Sequence, residues 1–182
     1  MKNKETKYWI FAAIVVGFLV WPPAHAAAPS GTHFGNASCS VTFQPGDTTL
    51  DKIASDISTA KHWIRLAAYG FSYKPIADAL VAAHNRGVDV QVVLDKSNLT
   101  ASYSLLPELV KAGIPTYIDS KHAIMHNKFI VMDGFVVETG SINFTYSGEN
   151  RNAENSLICH TTAGAAAYDE EWDILQKESV KQ

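Results

Sequence analysis

The chain has 182 residues, with 15 Lys and Arg against 18 Asp and Glu and a formal net charge of −3. A mildly acidic chain excludes a protein that holds nucleic acid through its overall field, so a polyanionic substrate must meet a local cluster of positive groups. The length suits one domain of ordinary size. At the start, Lys2, Lys4 and Lys7 stand against Glu5, followed by an uncharged, mostly apolar run over 8–21 and small residues at Ala24 and Ala26. These are the three parts of a secretory signal peptide. The apolar run is shorter than the roughly 20 residues that span a bilayer. A cleaved signal over 1–26 is therefore expected in preference to an uncleaved anchor. The single domain is then 27–182, periplasmic or secreted, with no stable membrane association once the signal is removed. The removed piece carries three lysines and one glutamate, so the net charge falls to −5.

Export sets the chemistry of the two cysteines, Cys39 and Cys159. In an oxidising compartment they can form a disulfide that closes a long loop. The alternative is two separate buried thiols, since free cysteine packs as a small hydrophobe. Both readings stay open here.

From residue 40 onward strand and helix signals alternate. Residues 40–43 form a short strand ending at Pro45-Gly46. Over 48–61, Leu50, Ile53, Ala54 and Ile57 make a helical stripe, with Thr48 and Asp51 as an N-terminal capping pair. A strand over 64–71 precedes a helix begun by Pro75 and stopped by Gly87. A valine-rich strand over 88–94, a helix over 102–112 and a short strand over 114–118 follow. Strands over 124–132 and 135–142 are joined by Asp133-Gly134, a strong hairpin signal. A strand over 154–160 leads to a last helix capped by Thr162, with Tyr168, Trp172 and Leu175 on one side. The order βαβαβα followed by a hairpin predicts an α/β domain with one mixed parallel and antiparallel sheet, covered by helices on both faces. Several strands are apolar on both sides, as such coverage requires.

A two-residue turn at Asp133-Gly134 sets Met132 opposite Phe135, His126 opposite Ser141 and Lys128 opposite Thr139. Alternate side chains share a face, which gathers His126, Lys128, Ser141 and, if the strand continues, Asn143 at the sheet end away from the turn. An imidazole, an ammonium, a hydroxyl and an amide at one spot suit a phosphodiester. The last three stabilise charge on phosphate oxygens, and histidine attacks phosphorus or moves protons near neutral pH. Taken singly, each is better explained as an ordinary polar strand residue; the joint pattern carries the argument.

His126-Asn127-Lys128, four further residues and Asp133 resemble the H-x-K-x4-D signature of the phospholipase D superfamily. Gly140-Ser141-Ile142-Asn143 is similar to its G-S-x-N element, and Glu154-Asn155 to the acid-containing strand that follows. The size and the signal sequence most resemble the small, single-motif, chelator-resistant bacterial endonucleases of that superfamily. The resemblance implies a phospholipase D-like fold and a metal-independent phosphodiesterase, with His126 as the nucleophile forming a phosphohistidine. It implies that Lys128 and Asn143 bind phosphate oxygens, that Ser141 assists, and that Glu154 orients a histidine ring. Asp133 belongs to the signature. Yet it occupies the turn and falls on the opposite face from His126, so it reads as structural, as does Gly140.

Larger members carry two such motifs, one histidine attacking and the other protonating the leaving oxygen. The nearest second candidate here, His84-Asn85-Arg86, has Arg for Lys, lacks the aspartate and ends a predicted helix, where basic residues suit the dipole. One motif per chain implies a homodimer that brings two copies of His126 together near its axis. Such a site needs no metal or other cofactor.

Three rivals are weighed against this. A zinc-dependent hydrolase would use His122, His126 and Asp119, but there is no H-E-x-x-H helix or cysteine pair. A phospholipase D acting on lipid headgroups shares the chemistry, but no spare amphipathic segment is evident. A non-catalytic binding module is at odds with the intact motif. Lys121, Phe144, Tyr146 and Arg151 flank the motif as candidate contacts to a nucleic acid substrate.

Overall fold

In the computed structural model, the structure describes residues 36–182. The proposed signal peptide, 1–26, lies outside them. Eight strands form one sheet: β1 (Ser38–Gln44), β2 (Trp63–Ala68), β3 (Asp89–Asp95), β4 (Thr116–Asp119), β5 (Lys128–Met132), β6 (Val136–Gly140), β7 (Glu154–His160) and β8 (Val180–Lys181). Their spatial order is β1-β7-β6-β5-β2-β3-β4-β8. The β2, β3 and β4 strands are parallel, joined by α1 (Thr49–Thr59) before them and by α2 (Lys74–Asn85) and α3 (Leu106–Lys111) between them. The other ladders are antiparallel. This is the mixed sheet that the alternating pattern predicts.

Both faces are covered, which explains why β5 is buried along its whole length. On one face Leu50, Ile53 and Ile57 of α1 pack with Ile76 and Leu80 of α2 against Leu66, Val92 and Ile130. On the other, α5 (Thr162–Lys177) lays Ala165, Trp172 and Leu175 on Ala67, Phe129 and Val137. The Trp172 indole also donates to the Leu66 carbonyl at 3.0 Å.

Several local expectations are corrected. Thr48 makes no side-chain cap on α1. The Leu50 N–H donates instead to Glu149, at 2.8 Å, a carboxylate brought by the short helix α4 (Tyr146–Asn150). The helix expected over 102–112 begins only at Leu106, one residue before Pro107, where a missing N–H does no harm. The hydroxyl that accepts a bond at the start of α5 is that of Thr161, not Thr162. The helix α4 and strand β8 have no counterpart in the sequence reading.

The structure joins Cys39 to Cys159. The two are directly opposed on β1 and β7, so the bridge fixes the edge strand to its neighbour.

Candidate active site

The hairpin register differs from the expected one by a residue. Asp133 and Gly134 both adopt positive φ, 52° and 67°, as the Asp-Gly signature demands. Phe135 then bulges, donating its N–H to the Met132 carbonyl at 3.1 Å, and Met132 pairs with Val136. The Phe135 carbonyl is taken by the Thr161 N–H at 2.7 Å, which holds it out of the ladder. The Asp133 carboxylate accepts three N–H bonds, from Lys61 and His62 at 2.8 Å and from Trp63 at 2.9 Å. Burial pushes its pKa up, but these donors outweigh that and hold it below the usual carboxylate value. Asp133 thus latches the turn to the start of β2.

At the other end, β5 begins only at Lys128, so residues 124–127 are an extended loop rather than strand. Two bonds take the backbone away from β6. Met125 N–H donates to the buried Asp95 carboxylate at 2.9 Å, and the Tyr69 N–H donates to the Asn127 carbonyl at 3.1 Å. This leaves His126 exposed at the crest of the loop, its ring 4.9 Å from that of Tyr69. Lys128 is buried, with Nζ donating to the His126 carbonyl at 2.7 Å and lying 5.5 Å from the Tyr69 ring centre. Desolvation lowers the Lys128 pKa, and the charge of Glu154 opposes that shift. The ammonium retains donors beyond the one it spends on the carbonyl.

The G-S-x-N segment closes the site from the side of β7. A side chain at Gly140 would stand 2.2 Å from the Asn155 carbonyl oxygen, so only glycine lets the two strands meet here. Ser141 donates to the Glu154 carboxylate and accepts from the Asn155 N–H at 3.1 Å. Glu154 also takes the Asn152 amide at 2.9 Å. Within one chain this carboxylate is thus engaged by Ser141 and Asn152 rather than by the His126 ring of the same chain. Asn143 lies against Gly70, next to Tyr69. Among the described residues its buried side-chain oxygen has no hydrogen-bond partner, and turning the amide would aim its N–H groups there instead.

A chain of contacts therefore links the predicted residues: His126 and Lys128 share Tyr69, Lys128 feels Glu154, and Glu154 holds Ser141. Sequence reasoning missed Tyr69, Asp95 and Asn98. The Asn98 amide donates to the Tyr69 carbonyl at 2.7 Å and fixes that loop. Of the flanking candidates, Phe144 is fully buried and cannot meet substrate, and Lys121 is ion-paired with Glu178. Tyr146 and Arg151 are exposed. The zinc set is not assembled. His122 Nδ1 lies 2.7 Å from Asp119, His126 stacks elsewhere, and no cluster of three or more metal-binding side chains forms among the described residues.

A phosphate-sized anion placed here would meet an exposed imidazole, a buried ammonium and an amide, the groups needed for attack on phosphorus and for charge stabilisation. The chain belongs to the phospholipase D family: residues 53–175 match the model described as cardiolipin synthase, PLD-like domain. It is a phosphodiesterase of that family. A phospholipase D of Rickettsia bellii is 34% identical, with 94% of this chain and 96% of that one covered. The mitochondrial cardiolipin hydrolase of Xenopus tropicalis is also 34% identical, over 77% of this chain and 67% of its own. The crystal structure of Nuc, a phospholipase D family member from Salmonella typhimurium, superposes with a TM-score of 0.76 at 35% identity, covering 80% of this chain and 98% of that one.

Proposed function

We propose that this protein is an exported, metal-independent endonuclease of low sequence specificity, working as a homodimer through a phosphohistidine. The observation that carries the reading is the exposed His126 ring set beside Tyr69, with the buried Lys128 ammonium bonded to the His126 carbonyl and lying by the same Tyr69 ring. A nucleophile must reach substrate, and a buried cation acts strongly on a phosphate because little solvent screens it.

In the first step a ring nitrogen of His126 attacks phosphorus, and the N–P bond forms as a P–O ester bond breaks. The leaving oxygen takes a proton from the partner subunit's His126. Water then attacks phosphorus and gives its proton to that same imidazole. The N–P bond breaks, releasing a phosphate monoester and restoring His126. Lys128 and Asn143 hold the non-bridging oxygens. Ser141 joins them by turning its hydroxyl from Glu154. A two-fold assembly also doubles the positive charge at the site of an acidic chain. The Cys39–Cys159 bridge fits the oxidising compartment that a signal peptide over 1–26 leads to.

A second reading is hydrolysis of phospholipid headgroups. It is favoured by the relatives named phospholipase D and cardiolipin hydrolase, and by Ile124, 56% exposed and two residues from His126. The deciding experiment is cleavage of plasmid DNA by chain 27–182 in excess EDTA, beside a His126→Ala control and cardiolipin vesicles. Cleavage that persists in EDTA and vanishes in the variant supports the nuclease. Hydrolysis of the vesicles alone moves the assignment to lipid, and loss of activity on chelation removes the metal-free mechanism. Sedimentation that finds an active, strictly monomeric enzyme removes the shared site.

A further inference from the structure

Beside the phosphate site lies a groove of about 410 Å³, lined by Ser72, Tyr103, Thr145, Tyr146 and Ser147. Its volume falls in the range of about 300–1,000 Å³ that small-molecule sites occupy. Resting on the nuclease reading, we propose that this groove is a base-stacking subsite, in which Tyr103 and Tyr146 hold one unpaired nucleobase next to the phosphate under attack.

Four observations support this. First, the groove adjoins the chemistry through the backbone. Thr145 is two residues from Asn143, and Ser72 is three from Tyr69, the residue that supports His126. The two segments are laid together, with the Ser72 and Tyr73 N–H groups both donating to the Phe144 carbonyl, at 2.8 and 2.9 Å. Second, its tyrosines are 70% and 57% exposed, and both face one cavity. Scattered exposed aromatics need no explanation, but two on one groove present stacking surface to a flat ligand.

Third, both walls are held in place before any ligand arrives. The Tyr103 loop is fixed by the Ser104 hydroxyl donating to the Asn98 side chain at 3.0 Å and by the Leu105 N–H donating to the Phe71 carbonyl at 3.1 Å. Tyr146 opens α4, where the Thr145 hydroxyl accepts the Gly148 N–H at 3.0 Å. Fourth, the exposed Arg151 guanidinium lies 5.3 Å from the Tyr146 ring centre. It packs against that ring and leaves a cation for the next phosphate along a strand. Ser72, Thr145 and Ser147 bring hydroxyls that can pair with the polar edge of a base. A base in such a groove must be unpaired, since a duplex keeps its bases in the stack.

The test compares oligothymidylate with an abasic deoxyribose-phosphate polymer of equal length, with bis(p-nitrophenyl) phosphate as a control of turnover. The mature homodimer is expected to show a KM at least about tenfold lower for oligothymidylate than for the abasic polymer, the size of one base–aromatic stack. Tyr103→Ala and Tyr146→Ala should abolish that difference, and Tyr103→Phe and Tyr146→Phe should restore it, because stacking needs the ring and not the hydroxyl. Equal KM values for the two polymers in the wild type, or a preference that survives both alanine variants, overturns the subsite while leaving the nuclease intact. Hydrolysis of the nitrophenyl ester with cleavage of neither polymer overturns the subsite, and if plasmid DNA is also left intact the nuclease reading falls with it. Both fall as well if only lipid vesicles are turned over.

Discussion

The two ends of the β5–β6 hairpin carry one contiguous signature and are built in opposite ways. At the turn, Asp133 is spent on three backbone N–H groups, the Phe135 carbonyl is taken by Thr161, and the Cys39–Cys159 bridge lies one residue from the Val136–His160 pair. At the far end an imidazole is exposed, an ammonium is buried against the His126 carbonyl, and an amide oxygen has no partner among the described residues. Satisfied polar groups stabilise a fold, whereas unsatisfied ones are held ready for a ligand at some cost to it. One motif thus serves two purposes, and its residues should separate by experiment.

The largest separation is expected at the open end. His126→Ala should lower phosphodiesterase turnover by at least about 10^4-fold, the scale on which a covalent nucleophile is lost. Its exposed ring contributes little packing, so the thermal midpoint should stay within about a degree of wild type, as surface substitutions do. A fall of several degrees would show that the open end is structural as well.

The closed end should show the reverse. The disulfide spans a sequence separation of 120, for which the chain-entropy model gives about 4–5 kcal/mol of stability. Cys39→Ser with Cys159→Ser should therefore lower the urea midpoint markedly while leaving kcat near wild type in dilute buffer. β7, which carries Glu154, remains paired with β6 without the bridge. A loss of kcat without unfolding would show that the site depends on the bridge.

Asp133→Ala comes next. It leaves three N–H groups without their charged acceptor, and a loss of about 2–4 kcal/mol is expected. Because the folded-state pKa of Asp133 is depressed, its contribution is present above the unfolded pKa and lost as the pH falls through the folded one. The gap between wild type and variant should accordingly narrow in acid. A gap that stays constant down to low pH would mean that the charge contributes nothing.

How much of this was legible beforehand follows the range of each interaction. β7 and the stripe of α1 were readable because their periodicity is local, and the hairpin because Asp-Gly states its turn type. The register was not, since Phe135 is drawn out of the ladder by Thr161 from beyond β7. Residues 124–127 read as strand because nothing nearby reveals that Asp95 takes the Met125 N–H. The site residues were found through the joint motif, whereas Tyr69 and Asn98 carry no local mark. They matter only because β2 and β5 become antiparallel neighbours.

Glu138 marks the boundary between the two ends, and its effect should be the smallest and most dependent on conditions. It lies two residues from Gly140 and is fully buried, with one carboxylate oxygen on the Ser156 hydroxyl at 2.6 Å and the other without a partner among the described residues. Burial pushes its pKa up to about 8, although the Ser156 bond pulls the other way. The folded chain therefore keeps a proton that the unfolded chain has already lost above about pH 4.5. Between these two pKa values stability must fall as the pH rises, and it levels off above the higher one. Over pH 6 to 8 this group should remove about 2 kcal/mol. Glu138→Gln, which cannot ionise, should flatten that decline when urea unfolding is followed across the range, with the wild-type curve as reference for the histidines. The site should keep its turnover, because Glu138 faces the Ile130 and Leu66 side of the sheet and joins none of the contacts around His126. An unchanged slope would mean that Glu138 already ionises at neutral pH inside the fold. A loss of turnover in a stable Glu138→Gln variant would extend the open, catalytic end of the hairpin into its core.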